Sequence, residues 1–330
     1  MSAVKDRIKI SDISGLIKAL KALSENETGI ADAYIEAYRE LSGNTELSDR
    51  ERDYYSAMLE KKLAFAQTVG APGLFSDDAV RSYRLFFCPT EIMPDILTYG
   101  MQAKEDRIYR NISVECAAQL RGLSYFDKLV AMQQNGCPVR LTELTSDPLS
   151  ALYYACKNNG EVSVFAVPED ECAAGGGDRA LMLSCLPGFD LTAKRWLYEA
   201  AVNSMPAGRF QQLKGGSRYL DETAEELYRR VTTEKPFFKR DIDPFDLLKP
   251  LFVIPDRTTE RLALRGSAFI LSGLSADADE AARKLIAERV SVIRTDDPEN
   301  LLYELSLLGI NGLSMSNGIS QVSDYFKSTL

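Results

Sequence analysis

No histidine occurs anywhere in the 330 residues. That excludes Ser-His-Asp and Cys-His catalysis, histidine-ligated metals and imidazole as a general base. Any chemistry must rest on carboxylates, arginines, hydroxyls or backbone dipoles. Cysteine occurs at 88, 116, 137, 156, 172 and 185, never as a C-x-x-C pair. Zinc ribbons and fingers need close pairs, so no structural metal is expected, and the thiols read as reduced and mostly buried. No run of about 18 apolar residues exists, which argues against a membrane span. Lysine and arginine number 39 against 48 aspartates and glutamates, a formal charge of −9. Broad binding to nucleic acid or an anionic membrane is therefore disfavoured, while a local basic pocket is still allowed. The opening MSAVKDRIKI lacks the apolar core of a secretory signal, so the cytoplasm is the expected location.

What is present is an ordinary globular composition, 45% hydrophobic and 26% charged, on a chain long enough for one large core or two smaller ones. Lys5 to Ile10 reads as a strand, followed by a helix with Leu16, Ile17, Leu20 and Leu23 on its apolar face. Two longer helices come next. One carries Ile30, Tyr34, Tyr38 and Leu41 and ends at Gly43. The other opens with capping-box spacing at Ser48-Asp49-Arg50-Glu51 and presents Tyr55, Leu59, Leu63 and Ala66. This tyrosine-rich hairpin either packs on the main body or offers a partner surface.

Arg81 to Phe87 is an aromatic strand candidate closed by Cys88-Pro89, and a helical region extends from there to about Asn135. Glu169 to Asp178, with three successive glycines, reads as a flexible loop. It lacks the Lys-Ser/Thr of a phosphate loop. Leu181 to Leu186, Leu251 to Ile254 and Ala268 to Leu271 read as strands. Residues 192–203, 223–232, 276–290 and 298–308 read as helices, the last with Pro298 at its start and Gly309 at its end. Strands and helices in no strict βαβ rhythm predict an α+β fold, a mixed or antiparallel sheet core with surrounding helices and an N-terminal helical hairpin.

The chemistry-bearing residues gather between Met132 and Val167. Arg140, Glu143, Thr145, Ser146 and Asp147 lie within eight positions, where a strand meets the helix opening at Pro148. A plain helix cap would account for Ser146 or Asp147 with no function invoked, but not for Arg140, Glu143 and Thr145. Arg140 either holds an anion beside the helix N-terminus or closes a salt bridge. Arg84, set in the apolar strand Tyr83 to Phe87, also needs a partner, whether a carboxylate of the fold or a ligand phosphate. Arg261 poses the same question. Gln133 and Gln134, before Asn135-Gly136, read as turn residues.

These segments, in this order, resemble the FRG domain family. Tyr83-Arg84-Leu85 stands at its aromatic-Arg-Gly motif, and Pro94-Asp95-Ile96-Leu97 at the element that follows. The central signature, Gln-His-Tyr-Gly-x-Pro-Thr-Arg-Leu-Leu-Asp-Trp-Thr then Pro-Leu-x-Ala-Leu-Tyr-Phe-Ala, is similar to Gln133 through Thr145 and Pro148 through Ala155. Asp246-Leu247-Leu248, Pro250 to Pro255, Glu260-Arg261 through Phe269, and Leu308-Gly309-Ile310-Asn311 add to it. The resemblance divides the chain into the start of the domain (1–24), a helical hairpin insertion (25–78) and the main body (79–330).

Leu85 replaces the motif glycine, Gln134 the histidine, Leu144 the tryptophan, and Arg265 a later glutamine. A divergent member is thereby implied. It is expected to be a non-catalytic binding protein, with residues 25–78 as a protein contact surface, and to bind neither nucleic acid nor membrane. The alternative comes from a similarity to ADP-ribosyltransferase-like folds, in which such an arginine contacts NAD. A small anionic, nucleotide-like ligand would then sit on Arg84 and Arg140, with Arg261 assisting. Thr145 and Ser146 would orient it, and Glu143 would act as the catalytic carboxylate.

Overall fold

A computed structural model describes residues 7–67, 83–98, 100–204, 218–239, 243–256, 266–316, 322–323 and 326–327. Its strands are β1 (Arg7–Ile10), β2 (Tyr83–Cys88), β3 (Leu141–Thr145), β4 (Glu161–Pro168), β5 (Ala173–Ala174), β6 (Leu251–Ile254), β7 (Ser267–Leu271) and β8 (Ser291–Thr295). They form one sheet in the order β1-β8-β4-β2-β3-β7-β6-β5. The outer pairs, β1 with β8 and β5 with β6, are parallel; the inner ladder is antiparallel. This is the expected α+β class. No helix among the described residues is long and apolar enough to cross a membrane.

The helices are α1 (Ile13–Glu25), α2 (Glu27–Gly43), α3 (Asp49–Ala66), α4 (Asp95–Thr98), α5 (Glu105–Glu115), α6 (Ala117–Leu120), α7 (Tyr125–Gln134) and α8 (Pro148–Lys157). They continue with α9 (Asp178–Ser184), α10 (Leu191–Ser204), α11 (Arg218–Glu234), α12 (Pro244–Leu248), α13 (Ala278–Ala287) and α14 (Pro298–Leu307). Several of the starts legible in the sequence carry their caps. Ser48 and Glu51 form a complete capping box on α3, and Asp147 caps α8 ahead of Pro148 at its first turn.

Alternation along β2 sends Tyr83, Leu85 and Phe87 to the larger apolar core, and Phe86 and Cys88 to a smaller one. The α2–α3 hairpin closes the larger core. Tyr34, Tyr38, Tyr54 and Tyr55 are all buried there. Tyr34 donates to the carbonyls of Ala166 and Glu288, and Tyr38 to the Glu288 carboxylate.

Three sequence expectations are corrected. Leu181 to Ser184 belongs to helix α9, buried on every side, so its apolar run showed no helical stripe. The helix expected to Val290 ends at Ala287, and the chain then enters β8. The glycine loop is not simply flexible, since Ala173 and Ala174 pair with β6. Gly175 lies so close to Phe126 that an added Cβ would sit 2.9 Å from its ring. A tighter approach occurs at Gly273, where a Cβ would meet backbone atoms of Leu247, Leu248 and Lys249 at 2.7–2.8 Å. Backbone cannot rotate aside, so Gly273→Ala is expected to cost about 1–3 kcal/mol in urea unfolding. An unchanged midpoint would contradict this packing.

Candidate functional site

The central opening arises where the ladder between β2 and β3 stops. These strands pair at Phe87–Thr145. Strand β2 ends at Cys88, and Pro89, which follows it, lines the opening together with Glu143. Proline has no N–H to continue the ladder, so the chain turns away through Thr90 to Pro94. Beside the edge of β3 this leaves a cavity of about 340 Å³. Its walls come from Pro89, Thr90, Glu91 and Met93 to Asp95, from Gln133 near the end of α7, from Cys137 and Val139, from all of β3, from Ser150 and Tyr154 on α8, and from Ser267. The volume lies in the range of small-molecule pockets.

Most of the hydroxyls at this cavity already have structural partners. Thr142 donates to the carbonyl of Ile92 at 2.9 Å, and Thr145 Oγ1 accepts from the Asp147 N–H at 3.0 Å. Ser150 donates to Asp147, and Tyr154 to the carbonyl of Met315. Two polar atoms differ. Ser267 Oγ and Gln133 Oε1 are buried and have no hydrogen-bond partner. Gln133 Nε2 lies 3.5 Å from the Glu143 carboxylate. The carboxylates at the walls are Glu91, Asp95 and Glu143, and the described lining contains no lysine or arginine.

The structure therefore brings Glu143 and Thr145 to one cavity but does not bring the arginines there. Arg140 is buried, with all three nitrogens committed. Nε and Nη2 form a bidentate pair with Glu105, and Nη1 donates to the carbonyl of Ser272 at 3.0 Å. Lys194 reaches the same carboxylate at 2.7 Å. A second cavity beside this triad measures only about 60 Å³. Burial pushes the Glu105 carboxyl up, but Arg140 and Lys194 outweigh it and hold the pKa at about 2. Lys194 is held below the ordinary lysine range, because burial, with Arg140 adding to it, outweighs the attraction of Glu105.

Arg84 is half-exposed at the opposite end of β2, pairs with Glu169, and lines neither cavity. The expectation of two guanidinium groups facing one cleft is thus corrected. Each found a carboxylate of the fold, because a buried or half-buried charge must be matched locally. Ser146 is exposed, stands outside the lining, and donates its backbone N–H to the carbonyl of Gly266. Arg261 lies outside the described residues.

Sequence reading missed Ser267 and mistook Gln133 for a turn residue. A serine opening the otherwise apolar strand Ser267–Leu271 was the available signal. Among the described residues no group of three or more Cys, Asp or Glu is placed to hold a metal ion. Compared with protein-family models, curated proteins and solved structures, the chain gives no match.

Proposed function

We propose that this chain is a binding protein of the FRG-like type, taking a small molecule into the opening between β2 and β3. The observation that carries this reading is the pair of buried, unpartnered polar atoms at the cavity, Ser267 Oγ and Gln133 Oε1. Buried polar groups are nearly always hydrogen-bonded, and one left unmatched costs roughly 1–3 kcal/mol. A ligand that pairs them recovers that cost on binding. The segments that carry the family resemblance also flank this opening: β2 with Pro89 to Asp95 on one side, β3 and α8 on the other.

A binding rather than catalytic role is favoured by the commitment of Arg140 to Glu105 and of Arg84 to Glu169, which leaves the cavity without the two-arginine phosphate clamp that NAD processing would use. Glu143 and Thr145 remain at the cavity, so NAD belongs in any ligand screen. Crystals soaked with a mixed fragment set are expected to show density between Pro89 and Ser267, with NAD and AMP soaked separately to test the nucleotide alternative. Ser267→Leu, which fills the cavity, should abolish the thermal shifts those compounds cause. Density confined to other surfaces, with shifts unaltered in Ser267→Leu, would end the reading.

A further inference from the structure

The cavity that the binding reading rests on has an unbalanced hydrogen-bond inventory. Gln133 Oε1, a buried acceptor that cannot donate, has no partner. Glu91 and Asp95 stand exposed at the walls, so a ligand entering beside them meets two carboxylates, acceptors only when ionised. Ser267 is only 5% exposed and its hydroxyl has no partner. A ligand that satisfies this set must donate hydrogen bonds.

Charge points the same way. An anion entering beside Glu91 and Asp95 would lose its hydration and meet repulsion, and the described lining supplies no cation to offset either. A bare metal ion fits poorly, since no three ligating side chains among the described residues converge. The remaining walls include Met93, Val139, Leu141 and Leu144, which suit a flat or alkyl body.

We propose that the ligand is a small organic cation, an amidine, guanidine or primary amine carried on an apolar body. Its charged end lies toward Glu91 and Asp95, and its N–H groups reach Gln133 Oε1 and Ser267 Oγ. Discrimination then comes from donor count and charge together, because a neutral molecule of the same shape leaves the carboxylates unmatched.

Calorimetric titration of the full chain with benzamidine, benzamide and benzoate, which share a shape and differ in charge, tests this. Benzamidine is expected to bind, benzamide at least about tenfold more weakly, and benzoate not measurably. Glu91→Gln combined with Asp95→Asn changes two exposed side chains. It should weaken benzamidine by about tenfold while leaving benzamide and the thermal midpoint unaltered. Equal binding of benzamide and benzamidine, with both lost in Ser267→Leu, would overturn the cation and keep the cleft. An unaltered benzamidine affinity in the double variant would likewise remove the role of the two carboxylates. Failure of all three probes to bind would overturn the proposal, and the soaked-fragment density then decides whether the cleft itself stands.

Discussion

Replacing Arg140 by methionine should lower the unfolding free energy by about 3–5 kcal/mol while leaving ligand binding in the β2–β3 cleft intact. Glu105 is buried and takes two hydrogen bonds from this one guanidinium. Methionine fills much of the volume but leaves the carboxylate with Lys194 alone and the Ser272 carbonyl without its donor. Removing one member of a buried pair strands the other charge, whereas removing the set together can be neutral. The triple variant Glu105→Leu, Arg140→Met, Lys194→Met should therefore recover most of the loss. Urea unfolding followed by circular dichroism measures both.

The pH dependence carries the same signature. The folded-state pKa of Glu105, about 2, lies below its ordinary 4.5. Its contribution is thus complete above the ordinary value and is lost as pH falls from there through 2. That amounts to roughly 3 kcal/mol of acid sensitivity in the unaltered chain. Arg140→Met should flatten this part of the profile, because the largest force holding the proton off is gone. A variant that binds ligand poorly at unchanged stability would instead return Arg140 to the site.

The way Arg140 finds its partners explains what could be read from the chain alone. Local signals were legible: Ser48 with Glu51, Asp147 with Pro148, and Pro298 each mark a helix start where the structure has one. The strand-to-helix junction at Thr145–Pro148 was also legible, because its polar density exceeds what a cap needs. Tertiary pairing was not. Glu105 lies on α5 and Lys194 on α10, and nothing near either residue names Arg140. Full burial hid α9, since Ala180, Leu181, Met182, Leu183 and Ser184 are all inside and leave no polar face to set a period. Strand β8 went unseen for a different reason. Only Glu288, Arg289 and Val290 separate it from α13, with no glycine or proline between them. The cavity itself depends on the β2–β3 ladder stopping at Phe87 and Thr145, a register that no local pattern encodes.

Lys62→Met should be comparably damaging, about 3–5 kcal/mol, and it tests whether the hairpin is structural rather than an appended contact surface. Lys62 sits on α3 with its side chain buried, its ammonium 3.5 Å from both Glu171 and Glu288 and 4.5 Å from the Tyr34 ring centroid. Burial alone would lower its pKa, yet the two carboxylates raise it above the ordinary lysine range. With the folded value raised, its contribution is complete below the ordinary lysine pKa and is lost only as pH rises through the higher folded one. Near neutral pH the whole contribution is present. Burial likewise pushes Glu171 up, and Lys62, with Lys249 and Arg179 adding to it, more than reverses that. Without the ammonium, two carboxylates face each other beside Tyr38, whose hydroxyl already donates to Glu288. The deficit should therefore narrow as pH falls toward the carboxylate range, where a protonated acid no longer needs the missing cation. Because Tyr34 and Tyr38 bond to Ala166 and Glu288 of the main body, the loss should appear as one cooperative unfolding transition at lower urea. A separate early transition, with the sheet unfolding later at its original midpoint, would show instead that the hairpin is an independent attachment.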